Sequence, residues 1–240
     1  MRHKSQDPAF TARRRPLVEA CVQTIAAAEA AQRAGADRIE LCAALETGGV
    51  TPGAGVIRTV RAGIGIPLQV LIRPRVGNFV YRGPEVEAMR AEIREARRAG
   101  ADGVVLGALD HHGRIDREIT ARLVEAAGPL PVTFHRAFDQ VTGQAGALEI
   151  LIDLGVARVL TSGGAVRAED GIPRLAELVR ASAGRIGILA GGGVRAPGVA
   201  RLVAETGVGE VHLGPCTAPM GDLDLAELTA VLDALSQRDR

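Results

Sequence analysis

The stretch "TFHRAFD" (133–139) sets His135, Arg136 and Asp139 almost side by side. An imidazole with its ordinary pKa near 6.5 moves protons at neutral pH, a guanidinium holds oxyanions, and a carboxylate orients either of them. Two other stretches share one spacing: "LVEACV" (17–22) carries Glu19 two residues before Cys21, and "RIELC" (38–42) carries Glu40 two residues before Cys42. Residues two apart on a strand share a face, so each carboxylate points the same way as its thiol. The carboxylates suit general-base work, and two facing thiolates suit a soft ion such as Cu(I) or zinc. Buried cysteines that act only as small hydrophobes satisfy the same spacing. Arg73, in "IRPR" (72–75), and Arg136 are the cations expected to face Glu19 and Glu40.

Glycines gather near the end of the chain. "TSGGA" (161–165) offers Ser162 and Gly163, "AGGGV" (190–194) offers Gly191, Gly192 and Gly193, and "HLGP" (212–215) offers Gly214. Backbone amides in such turns cradle anions, although a tight strand-to-helix turn demands the same small residues. His111 and His112, in "DHHG", read as a solvated turn.

These groups need a scaffold that brings distant segments together. "AGADRIEL" ending at Leu41, "AGADGVVL" ending at Leu106, "LGVARVL" ending at Leu160 and "TGVGEVHL" ending at Leu213 each follow a helical pattern, place a glycine at a helix C-cap and enter a β-branched run. They mark helix-to-strand junctions. With the intervening runs they predict eight strands, near 17–22, 38–43, 68–73, 103–108, 132–137, 158–162, 186–190 and 210–214. Helices between successive strands force a parallel sheet with right-handed crossovers. Eight such units without a linker predict an α/β fold, a single-domain (β/α)8 TIM barrel over residues 16–240, with the junction phrase at every second strand as an internal repeat. Function in such barrels sits at the C-terminal strand ends. Glu19, Glu40, Arg73, His135 and Asp139 are therefore expected there. Strand alternation sets His135 and Arg136 on opposite faces, with Asp139 in the following turn.

Composition narrows the partners. The net charge of +1 over 240 residues lacks the basic excess of a nucleic-acid binder, and aromatics at 2% leave no stacking platform. No apolar run is long enough to span a membrane. Three scattered cysteines, Cys21, Cys42 and Cys216, make no disulfide framework and point to a reducing compartment, hence the cytoplasm. Residues 1–15 read as a disordered tail or an appended remnant. The single lysine, Lys4, lies in that tail, so the body holds no amine for Schiff-base chemistry.

"LVEACV", "GADRIELCAALETGGVTPGAGVI", "VLIRPRVGNFVY", "GADGVVLGALDHHGRID", "GPLPVTFHRAFD", "GVARVLTSGG" and "AGGGVRA", in this order over about residues 17 to 213, resemble the CutC family of copper homeostasis proteins. The resemblance implies a barrel of this kind, a cytoplasmic location and copper handling, with Cu(I) as the bound cofactor on Cys21 and Cys42. One departure stands out: "LGPCTAPMGD" after "EVH" shortens the last loop and carries Cys216. Two functions follow. One is a Cu(I)-binding homeostasis protein. The other is an enzyme on a small anionic or phosphorylated metabolite, an isomerase, epimerase or hydrolase, in which Arg73 and Arg136 hold the anion, Glu19 or Glu40 is the base and His135 the acid. The partner is then copper or a small anionic ligand, with no nucleic acid and no membrane; a homo-oligomer is compatible with either.

Overall fold

The structure is a computed structural model and describes residues 15–214 and 223–237. Its strands are β1 (Leu17–Val22), β2 (Arg38–Leu41), β3 (Leu68–Leu71), β4 (Gly103–Leu106), β5 (Val132–Phe134), β6 (Arg158–Thr161), β7 (Gly187–Gly191) and β8 (Glu210–Leu213). They pair in parallel, each with its successor, and β8 pairs with β1 to close the barrel. The α-helices are α1 (Ile25–Ala34), α2 (Ala54–Gly63), α3 (Gly83–Arg98), α4 (Arg117–Ala127), α5 (Gln144–Asp153), α6 (Ile172–Ser182), α7 (Ala196–Thr206) and α8 (Leu225–Ser236). One follows each strand, as the alternation predicts. The result is a TIM barrel.

Local chemistry explains the joints. Thr24, Asp116 and Asp224 cap α1, α4 and α8 by accepting a backbone N–H with their side chains. Gly35 and Gly207 end α1 and α7 at φ 101° and 72°, a left-handed turn that only glycine enters without strain, and the chain then drops into β2 and β8. These are two of the four junction glycines. On α3, Val86, Met89, Ile93 and Ala96 recur on one face and are buried against the barrel. Outward strand residues such as Val18, Ala20, Val22, Ile39 and Leu41 are fully buried beneath the helices, each large one contributing about 1.5–3 kcal/mol of apolar burial. The inward positions are therefore free to be polar.

Several strands are shorter than the apolar runs predict. β5 stops at Phe134 because the His135 ring Nδ1 accepts the N–H of Ala137 (3.2 Å) and turns the chain into a 3-10 helix over Arg136–Gln140. Alternation thus does not govern His135 and Arg136. Arg15, assigned to the tail by its composition, is tied to the body: NH1 meets Asp37 Oδ2 at 2.6 Å, and NH2 donates to Gly35 O. Residues 1–14, including Lys4, and Cys216 with its loop lie outside the described residues.

Candidate functional site

The lower barrel interior holds an ionic layer. Parallel pairing sets Glu19 level with Arg38 on β2 and with His212 on β8. The Arg38 Nε donates to Glu19, and its NH2 donates to Glu210 Oε2 (2.5 Å). Glu210 also accepts from Arg158 Nε at 3.0 Å. Two carboxylates and two guanidiniums neutralise one another where most barrels stack aliphatic side chains. Glu19 accordingly lies beneath the mouth, and its cation is Arg38 rather than Arg73 or Arg136. Burial alone would raise its pKa, but Arg38 and His212 hold Glu19 well below the ordinary carboxylate range.

A second layer rests on the first. Glu40 and Cys21 are partners across β1 and β2, and Cys42 follows two residues later. The sulfurs of Cys21 and Cys42 stand 3.6 Å apart, both thiols are free, and a Glu40 carboxylate oxygen lies within 4.8 Å of both. His212 links the layers: Nδ1 donates to Glu19 Oε1 at 2.8 Å, and Nε2 lies 3.7 Å from Glu40 Oε2. Burial works against a charged imidazole, yet hydrogen bonds to Cys21 and Glu19 and the two carboxylates push His212 well above 6.5. Burial lifts Glu40. The hydrogen bond from Cys21 pulls the Cys42 thiol down, but burial and the neighbouring carboxylates carry it up to about 11. The Cys42 hydrogen bond and burial push Cys21 well above 9.0. Both thiols are thus protonated at neutral pH, which makes them poor nucleophiles until a metal displaces the proton.

Above this layer opens a cavity of about 320 Å³ at the C-terminal strand ends. Cys21, Cys42, Glu40 and His212 line its base, and Arg73, Phe79 and His135 line its wall. The Arg73 NH1 donates to the carbonyls of Gly48 and Gly49 (both 2.9 Å), and NH2 donates to Gly77 O at 3.0 Å. The Arg73 guanidinium lies 5.0 Å from the Phe79 ring centroid, and the His135 ring 4.8 Å from it. Burial, with the charge of Arg73, lowers His135 to about 3. It is therefore neutral, not the near-neutral acid that an ordinary imidazole would be.

The remaining predicted residues divide. Arg136, Gly192, Gly193 and Gly214 line the cavity, whereas Asp139, Ser162, Gly163 and Gly191 do not. Asp139 is an anchor: it takes Arg136 Nε (2.8 Å), Thr161 Oγ1 (2.5 Å) and the amides of Ser162 (3.0 Å) and Gly164 (3.1 Å). Ser162 and Gly163 belong to the turn that it holds. Gly191 is a packing position, since a Cβ there would meet Leu160 Cδ1 at 2.5 Å. Arg38, Phe79 and Glu210 have functional or supporting places that the sequence reading did not assign. The sequence reading gave His212 no role either; its spacing from Glu210 on one strand face was the available signal.

A sequence model described as the CutC family matches residues 16–217. The human copper homeostasis protein cutC homolog is 46% identical over 196 residues, which cover 82% of this chain and 72% of that protein. A CutC family protein of Xanthomonas axonopodis pv. citri is 49% identical over 195 residues, 81% of each chain. The crystal structure of CutC from Streptococcus agalactiae superposes with a TM-score of 0.78 at 35% identity, over 82% of this chain and 97% of that one.

Proposed function

The chain belongs to the CutC family of copper homeostasis proteins, and we propose that it binds Cu(I) in the cytoplasm with Cys21 and Cys42 as ligands. The carrying observation is the pair of free thiols 3.6 Å apart at the base of an open cavity. Two soft sulfurs this close suit a monovalent soft cation of low coordination number. Both thiols are protonated at rest, so copper entry releases protons, for which the cavity gives a route. No helix among the described residues is long and apolar enough to cross a membrane, and unpaired thiols suit a reducing compartment. Anaerobic Cu(I) titration against a chromophoric chelator should saturate near one ion per chain (~1). Cys21→Ser and Cys42→Ser should each abolish that binding. Unchanged affinity in both variants would refute the reading.

A second reading, an enzyme acting on a small anionic metabolite, is favoured by the Glu40 and His212 pair, 3.7 Å apart beneath the same cavity. There the acid/base role falls to these two residues rather than to His135. With Lys4 the only lysine, isomerisation, epimerisation or hydrolysis remain and Schiff-base chemistry does not. Mass spectrometry of small molecules released from the purified protein tests it: a stoichiometric anion supports this reading, and none under native purification argues against it.

A further inference from the structure

Among the described residues, Arg73 is a buried cation without a counter-ion. Only 7% exposed, it lines the cavity, and among the described residues no carboxylate lies within ion-pair distance of it. Among the described residues its three hydrogen bonds run to the carbonyls of Gly48, Gly49 and Gly77, and Nε has no partner there. Carbonyls satisfy N–H groups but do not cancel a charge, and buried charges are ordinarily paired. The other guanidinium at the cavity, Arg136, already has its carboxylate in Asp139 at 2.8 Å.

His135 adds a second unanswered donor. It is 6% exposed, and because Nδ1 accepts the Ala137 N–H, its one proton resides on Nε2, which has no acceptor among the described residues. Arg73 and His135 flank Phe79, with the guanidinium at 5.0 Å and the imidazole at 4.8 Å from the ring centroid. A role for Arg73 as a strut for its glycine loops accounts for NH1 and NH2. It leaves the unpaired charge, Nε and the imidazole donor unexplained.

We propose that the upper cavity binds a small carboxylate-bearing molecule, its carboxylate held by Arg73 and His135 and its carbon skeleton set against Phe79, Leu45, Leu71 and Leu160. One uncompensated cation calls for a monoanion, and the four apolar side chains that line the cavity call for carbon beside it. A volume of about 320 Å³ equals roughly ten water molecules, at the small end of metabolite sites and far beyond the need of one ion. The proposal deepens the second reading above, using its anion but not its turnover, and it holds whether or not the thiols take copper.

The test is calorimetric titration of the full chain with acetate, propionate and benzoate, and with inorganic phosphate and sulfate, at constant ionic strength. At least one monocarboxylate should bind saturably. Arg73→Gln should weaken it by about tenfold or more, the loss expected for a hydrogen bond to a charged group. The Cys21→Ser, Cys42→Ser double variant should retain it, so failure of the copper site and failure of this site are read separately. Should Arg73→Gln not fold, NMR of the wild-type chain supplies the answer: the His135 Nε2–H resonance should shift as the carboxylate saturates. Absence of saturable monocarboxylate binding, binding of phosphate alone, undiminished affinity in folded Arg73→Gln, or an unmoved His135 resonance would each overturn the proposal.

Discussion

His212 on β8 donates through Nδ1 to Glu19 on β1 at 2.8 Å, across the seam where the barrel closes. The two residues titrate in opposite senses. Glu19 is depressed below its ordinary 4.5, so its contribution is complete above that pH and is lost as pH falls toward its folded value. His212 is raised above 6.5, so its contribution is complete below 6.5 and fades as pH rises toward its folded value. Between 4.5 and 6.5 the pair stabilises the seam fully. Urea denaturation across pH should show the stability gap between the wild type and His212→Gln shrinking above pH 6.5. A gap constant through the alkaline range would show that the imidazole carries no charge there.

His135 gives the opposite slope. Its pKa of about 3, set by burial and then by Arg73, means that the unfolded chain takes up a proton below 6.5 and the folded chain does not. The stabilising difference is fully present above 6.5 and is lost as pH falls from 6.5 to about 3, amounting to roughly 3 kcal/mol or more. Nitrogen-15 NMR should find a neutral ring protonated at Nε2 throughout the neutral range. An imidazolium signal at pH 6 would contradict the burial.

Arg38→Met should be among the most damaging single changes. It takes one cation from each of Glu19 and Glu210, both nearly fully buried, and leaves Glu19 to His212 and Glu210 to Arg158. Breaking a buried ion pair from one side costs about 3–5 kcal/mol. The double variant Glu19→Gln, Arg38→Met, which leaves Glu210 paired with Arg158, should recover much of that loss in urea denaturation. A single variant within 1 kcal/mol (~1) of wild type would mean that water reaches this layer.

The barrel was legible because its evidence is local: a glycine at four of the helix-to-strand joints, a β-branched run after each and a helix before the next. Glu19 with Cys21 and Glu40 with Cys42 were legible for the same reason, since the period of a strand fixes what shares a face. Arg38 escaped because its role depends on register. Only the pairing of β1 with β2 sets it level with Glu19, and Glu210 reaches it from the far end of the chain. His135 was placed on a strand because an apolar run does not reveal where a side chain caps the next turn and ends the ladder.

The charged residues of "TFHRAFD" differ in what their loss should cost. The Arg136 side chain is 42% exposed, and its removal leaves Asp139 bonded to Thr161 Oγ1 and to the amides of Ser162 and Gly164. Asp139 keeps a full set of donors, and Arg136→Met should cost about 1 kcal/mol, the range of a partly exposed ion pair. Asp139→Ala removes the shared acceptor of all five donors, the Ser162 hydroxyl among them. It strands the fully buried Thr161 hydroxyl and Ser162 amide, so it should cost about 3 kcal/mol or more. Arg136 should then lose its fixed position at the cavity edge, because Asp139 holds its Nε while the Ser162 hydroxyl and the Ala165 carbonyl take NH2. Paired thermal and urea denaturation of the two variants gives the order. If Arg136→Met proved the more destabilising, the guanidinium rather than the carboxylate would be the centre of this corner.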